Sequence, residues 1–385
     1  MPVATGLDRF VREGAGRSAA CPVGLVTHGA AVSADLVDAV SLLRTAGIRV
    51  KALFSPEHGL HGAMADGAAV ADAVDPRWGL PIYSLYGATR QPSAEALAGL
   101  GGLLFDMQDV GVRFYTFIST LYYVLRAAGD AGIPVTVLDR PNPLGGVTLE
   151  GPVLESAFSS FVGIVPIPVR YGLTVGELAR TMNVPIGADL VVVPLSGWRR
   201  EMGFEDTGLQ WVPTSPAMPH LSTVYLYPGM CFIEGTNLSE GRGTALPFEI
   251  CGAPWIDGYV LAAKLNALAM PGVRFRPTQF VPAVGSRYGG MLCGGVQVHV
   301  LDRVLCRPVT VGLQLIAAVK SLWPEAFAWR ERSWEGAHSH FDLLMGTDRV
   351  RKGLDAGEDV EALVRSWDGS LGAFSEACQP YLLYP

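Results

Sequence analysis

Strand-like and helix-like stretches alternate through the first half of the chain, and this alternation most constrains what the chain folds into. The apolar stretches "PVGLVTHGAAV" (22–32), "IRVKALF" (48–54), "LPIYSLYG" (80–87), "GLLFDMQD" (102–109) and "IPVTVLDRPNP" (133–143) read as strands. Between them, residues 33–47 have helical spacing, with Ser33 or Asp35 near the start and Gly47 near the end. Residues 93–101 form a short helix with Ser93 as N-cap, and residues 114–132 a long amphipathic one. Near-continuous apolar strands joined through helices predict a parallel sheet covered on both faces.

Such a sheet binds ligands beyond the carboxyl ends of its strands. Polar residues collect there: His28; Glu57 and His58; Tyr86; Asp106, Gln108 and Asp109; Asp139, Arg140 and Asn142. One polar strand end is readily a turn, but five in succession point to a site. No GxGxxG or GxxxxGK follows a strand, so the sheet is Rossmann-like without a nucleotide-binding signature. At 385 residues the chain is long for one core. The expected division is a Rossmann-like domain over 1–180 and a smaller α/β domain over 181–385 that closes a cleft. In the second part, "TVGELARTMN" reads as a helix and "ADLVVVPLSGW" as a strand and turn. Residues 211–255, rich in proline and glycine, read as a long ordered loop system, and loops of that length are usually functional.

A net charge of −7 argues against nucleic acid, which requires a basic footprint, and suits a small-molecule substrate. No apolar run is long enough to span a bilayer. The start "MPVATGLDRFVREGAGR" lacks the apolar core of a secretory signal. Six scattered cysteines without CxxC spacing read as reduced thiols, so the expected location is the cytoplasm.

The stretches "FSPEHGLHG", "SLYG", "FDMQDVGVRFYTF", "LDRPNPLGG", "VRYGLTVGELA", "IEGTNLSEGRGTALPFEICGAPW" and "YLLY" run in order along nearly the whole chain. In them the sequence resembles the exo-β-N-acetylmuramidase family (NamZ/YbbC-like proteins). The resemblance implies a Rossmann-like domain, a smaller C-terminal domain, and an active site in the cleft between them. It also implies release of N-acetylmuramic acid from the non-reducing end of peptidoglycan fragments. No cofactor is expected. The chain departs from the family at "VTHGAAV", where His28 stands in place of a neutral amide.

Glycoside hydrolysis needs a proton donor and usually a second carboxylate. Glu57, at a strand end among apolar neighbours, is the expected acid, oriented by His58; the structural alternative is that Glu57 caps a following helix and His58 fills a polar niche. Zinc held by Glu57, His58 and His61 suits the ligand types, but the spacing fits no standard zinc motif, so metal-independent chemistry is expected. Glu234 or Glu240, in "EGTNLSEGRGT", is the expected partner carboxylate, with Asn237 and Arg242 as substrate contacts; Glu249 reads as a structural anchor. Substrate contacts are also expected from His28, Tyr86, Asp106, Gln108, Asp109, Arg113, Tyr115, Arg140 and Asn142. Arg113 or Arg140 suits the lactyl carboxylate of muramic acid, since a guanidinium pairs bidentately with a carboxylate. An ion pair within the protein is the alternative for Arg140, and a turn for Asn142. Trp198, Trp211 and Trp255 either stack on sugars or fill the core. Two other classes remain: a protein that captures muropeptides or amino sugars without cleaving them, and an esterase or deacetylase. The absence of GxSxG counts against the serine form of the latter.

Overall fold

The computed structural model describes residues 2–13, 21–333 and 338–385. Seven strands form the larger sheet: β1 (Val23–Thr27), β2 (Val50–Ser55), β3 (Ala73–Val74), β4 (Pro81–Ser84), β5 (Leu103–Asp106), β6 (Val135–Leu138) and β7 (Leu190–Val193). Their order is β3-β4-β2-β1-β5-β6-β7, parallel throughout except for the antiparallel edge strand β3. Without β3 this is the doubly wound order, whose direction of winding reverses between β1 and β5. Every residue of β1 and of β5 is buried, as central parallel strands between two helical layers must be. β7 carries the sheet on to Val193, past residue 180.

The second sheet is small and antiparallel, ordered β8-β10-β9, from β8 (Ile250–Ala253), β9 (Val273–Phe280) and β10 (Cys293–Val300). The two units do not have separate cores. One continuous apolar cluster runs from Val26 and Phe105 in the first to Val296 and Leu315 in the second. At the junction Phe114 packs edge-on against Tyr227 and Phe232, with centroids 5.3 and 5.7 Å apart. The chain end returns to the first unit: the Leu195 N–H donates to the Tyr384 hydroxyl at 2.8 Å, that hydroxyl donates to Asp139, and the Leu383 N–H donates to Glu177 at 2.9 Å.

Local details differ from expectation in two places. The helix expected over 33–47 spans Ala39–Thr45 and is capped by Asp38, whose carboxylate accepts from the Ser41 N–H at 2.8 Å. Ser33 instead accepts from the Asp35 and Val37 N–H groups and so shapes the preceding turn. Residues 211–255 are not all loop: Leu221–Met230 is a helix despite Pro228 and Gly229, followed by a 3-10 turn over Cys231–Gly235 and by β8. Packing explains the glycine, because a Cβ on Gly229 would lie 1.7 Å from the Pro308 carbonyl at the start of the helix Pro308–Leu322. Glu249 anchors the start of Leu221–Met230, accepting from the Ser222 and Thr223 hydroxyls at 2.8 and 2.7 Å. Ser93 caps the helix Ala94–Leu97 as expected.

Candidate active site

The groups at the β1/β5 reversal satisfy one another. The Gln108 N–H donates to His28 Nε2 at 2.9 Å, and burial, followed by the Arg140 charge, lowers the His28 pKa to about 3. His28 is therefore a neutral acceptor. Arg140 grips Asp106 with two bonds of 2.6 and 3.0 Å, both side chains buried. The pocket beside Gln108 and Arg140 has a volume of about 20 Å³, room for little more than a water molecule.

Three other expected substrate contacts are also committed within the fold. Asn142 bonds the Leu144 N–H and the Leu173 carbonyl, a turn-forming role. Asp109 accepts from the Gly111 N–H at 2.6 Å and from the Tyr171 hydroxyl. Arg113 is fully buried and donates to the carbonyls of Pro152, Ile167 and Leu344 at 2.7, 2.7 and 2.9 Å. It ties the first unit to the helix His340–Met345 rather than facing a ligand.

The large cavity, about 610 Å³, opens beside the end of β2 and between the two units. Glu57, His58, Tyr86, Tyr115, Glu234, Glu240 and Arg242 line it; His28, Asp106, Gln108, Asp109, Arg113, Arg140, Asn142, Asn237 and the three tryptophans do not. Pro56 ends β2 and turns Glu57 inward. One Glu57 oxygen accepts from the Gly67 N–H at 2.9 Å, the other from the Thr116 hydroxyl at 2.7 Å. His58 donates through Nδ1 to the Met64 carbonyl at 2.9 Å, leaving Nε2 3.8 Å from Asp66. It adopts φ 71°, the left-handed region that costs a non-glycine residue about 1–2 kcal/mol. Phe248, also in the wall, and Tyr288, next to the wall residue Arg287, have φ 59° and 57°. Strain of this kind concentrates at functional sites.

From the second unit come two carboxyls on one arginine. Arg242 donates to Glu234 at 2.6 Å, lies 3.4 Å from Glu240, pairs with Asp66, and sits 4.7 Å above the Phe248 ring. Burial favours the neutral form of Glu234, but Arg242 and then His340, 3.5 Å away, outweigh it and hold the carboxyl below its ordinary range. Glu240 moves the other way. Burial raises it most, Arg242 pulls it back, and the Glu234 charge pushes it up again. The 234–243 loop is pinned rather than supple. Ser239 bridges to Gly252, the Phe248 N–H donates to the Glu240 carbonyl at 2.7 Å, and a Cβ on Gly243 would sit 2.3 Å from Ser286 Oγ. The missing side chain at that glycine admits the neighbouring chain.

Among the described residues no group of three or more His, Cys, Asp or Glu is arranged to hold a metal ion. No helix there is long and apolar enough to cross a membrane.

The family model described as "Exo-beta-N-acetylmuramidase NamZ, N-terminal" matches residues 23–222, and its C-terminal counterpart matches residues 225–384. The chain belongs to the NamZ family. It is 43% identical over 385 residues to the peptidoglycan β-N-acetylmuramidase NamZ of Bacillus subtilis, covering 99% of this chain and 91% of that protein. Two crystal structures of DUF1343 family proteins from Bacteroides fragilis share the fold. One has a TM-score of 0.92 at 34% identity, the other 0.79 at 27%, each covering 100% of this chain and 99% of its own.

The NamZ-family cavity also holds residues that sequence reasoning missed: Asp66, Thr116, Tyr227, Phe248, Arg287 and Arg330. His340, behind Glu234, is a seventh. For Asp66 a local cue existed, since "ADG" follows the Glu-His turn within ten residues. Thr116 and Phe248 lie inside stretches that carry the family resemblance, whereas Tyr227, Arg287, Arg330 and His340 lie outside them.

Proposed function

We propose that this chain is a glycoside hydrolase that releases N-acetylmuramic acid from the non-reducing end of peptidoglycan fragments. The observation that carries the reading is the single cavity in which a carboxyl of the first unit, Glu57, and carboxyls of the second, Glu234 and Glu240, are joined through Asp66 and Arg242. Its volume lies within the range of small-ligand sites. Walls from two units suit a pocket that takes one terminal sugar and excludes bulk water.

The roles follow from the electrostatics. Two carboxyls pushed in opposite directions are the pattern of an acid–base site. Glu240, raised by burial and by Glu234, is the proton donor to the leaving oxygen. Glu57, fixed by Gly67 and Thr116, is the opposing carboxylate, so the donor role expected of Glu57 passes across the cavity. Glu234 stays ionised and positions Arg242. His58 holds the Glu57 turn through Met64 and faces Asp66. Tyr86 and Tyr115 supply wall surface, Tyr115 steadied by a 2.7 Å bond to Thr214. All six cysteines are unpaired thiols, five of them buried, which suits a reducing compartment; we therefore place the enzyme in the cytoplasm, in recycling of wall fragments.

The test is incubation with a β-linked N-acetylmuramyl-N-acetylglucosamine disaccharide and with a chromogenic N-acetylmuraminide. Release of free N-acetylmuramic acid from both is expected. Tight binding without turnover would replace the hydrolase by a capture protein.

A further inference from the structure

The cavity is rich in acidic groups, yet the sugar assigned to it is itself an acid. Glu57, Asp66, Glu234 and Glu240 face it, with three arginines: Arg242, Arg287 and Arg330. Arg242 is spent on Asp66, Glu234 and Glu240. Arg330 is not without a partner, and its backbone is tied to Gly235 and His340. Arg287 differs. It is half-buried in the wall and makes no hydrogen bond or ion pair among the described residues; Glu240 senses its charge without touching it.

The segment that presents Arg287 is built to hold its place. Residues 281–292 join β9 to β10 and fold back on themselves, with the Gly290 N–H donating to the Pro282 carbonyl and the Gly289 N–H to Ser286, both at 2.9 Å. Two bonds fasten it to the carboxylate-bearing loop: Ala283 N–H to the Gly243 carbonyl at 2.8 Å and Tyr288 hydroxyl to the Asn237 carbonyl at 2.7 Å. Asn237 in turn is braced by Ala326 and Ala328 through its side chain. A long cation held at a cavity wall beside strained Tyr288, with no anion paired to it among the described residues, suits an ion pair whose other half arrives with the ligand.

We propose that Arg287 is the specificity-determining residue that pairs with the lactyl carboxylate of the terminal sugar and so separates N-acetylmuramic acid from N-acetylglucosamine. The proposal rests on the muramidase reading above for the identity of the sugar. N-acetylmuramic acid differs from N-acetylglucosamine only by a lactic acid ether at O3, so its carboxylate is the one group a cation can use to tell them apart. A planar guanidinium takes such a group bidentately, and lysine in its place would be a weaker substitute. Arg113 and Arg140 do not face the cavity and so do not serve this purpose.

The experiment compares wild type, Arg287→Met, Arg287→Lys and Arg330→Met. Calorimetry measures binding of N-acetylmuramic acid, its lactyl methyl ester and N-acetylglucosamine; kinetics use the chromogenic muraminide. Arg287→Met is expected to lose roughly 10–100-fold in affinity for the acid, as for a lost charge-assisted contact, and to leave the ester and N-acetylglucosamine unchanged. On the muraminide the loss falls on KM rather than kcat, and Arg287→Lys recovers part of it. Preference for the acid persisting in Arg287→Met, its absence in wild type, or its loss in Arg330→Met alone would each overturn the assignment. Acid-selective binding in wild type without any turnover would sink the hydrolase reading and leave Arg287 in its role.

Discussion

Arg242 forms an ion pair with Asp66, 176 residues away in sequence, and through it the two units are joined across one cavity. The next backbone N–H after Asp66, that of Gly67, holds Glu57, while the other arms of Arg242 reach Glu234 and Glu240. The Glu57 side and the Glu240 side are thus separated by one peptide link and one guanidinium.

Removing that guanidinium should be severe. Arg242→Met removes the guanidinium that Asp66, Glu234 and Glu240 share, and breaking a buried pair costs about 3–5 kcal/mol. Loss of activity and a fall in Tm are expected together. Asp66→Asn should be milder in stability, because Asp66 is more exposed. Chemical denaturation and turnover of the two variants check this; equal stability for wild type and Arg242→Met would contradict it.

The alkaline limb of the pH–rate profile should report Glu240. Its proton is held above the ordinary glutamate range by burial and by the Glu234 charge, so activity persists as pH rises until that proton leaves. Glu234→Gln removes the like charge. The limb of kcat should then move to lower pH. A limb that stays put, or moves up, would take the donor role from Glu240.

Leaving-group dependence separates the two carboxyls. Glu240→Gln should lose roughly 10²–10⁴-fold on the natural disaccharide, whose alcohol must be protonated as it leaves. The loss should be far smaller on a 4-nitrophenyl muraminide, whose phenolate leaves unaided. Equal losses on both substrates would show that Glu240 is not the donor.

Arg113→Met should be a stability variant. Three carbonyls, from Pro152, Ile167 and Leu344, lose their donor in a fully buried place. Each orphaned group costs about 1–3 kcal/mol, enough to unfold a marginal domain. Soluble yield and denaturation midpoint should collapse, whereas preference between sugars in whatever folds should match wild type. An altered preference would return Arg113 to substrate recognition.

The parallel sheet was legible because burial on both faces writes long apolar runs, and the β2 exit was legible because a proline, an acid and a histidine stand together there. What lay between polar strand ends was not. His28, Asp106, Gln108 and Arg140 look like ligand groups in a one-dimensional reading, yet in space they satisfy one another. Pairing of this kind depends on distance, and sequence holds none. The helix Leu221–Met230 was hidden by Pro228 and Gly229, and close packing against Pro308 makes the glycine necessary. Asp66, Arg287 and His340 went unseen because each gains its meaning from a partner or cavity built by remote segments; Glu234 and His340 are 106 residues apart.

The most direct test is Glu57→Gln, assayed on the muramyl disaccharide beside binding and thermal unfolding. The amide keeps the shape of the side chain, so affinity for N-acetylmuramic acid and Tm should stay near wild type, while kcat falls by roughly 10²–10⁴-fold. Turnover within about threefold of wild type, below the smallest loss expected for an acid–base group, would contradict a site built on Glu57.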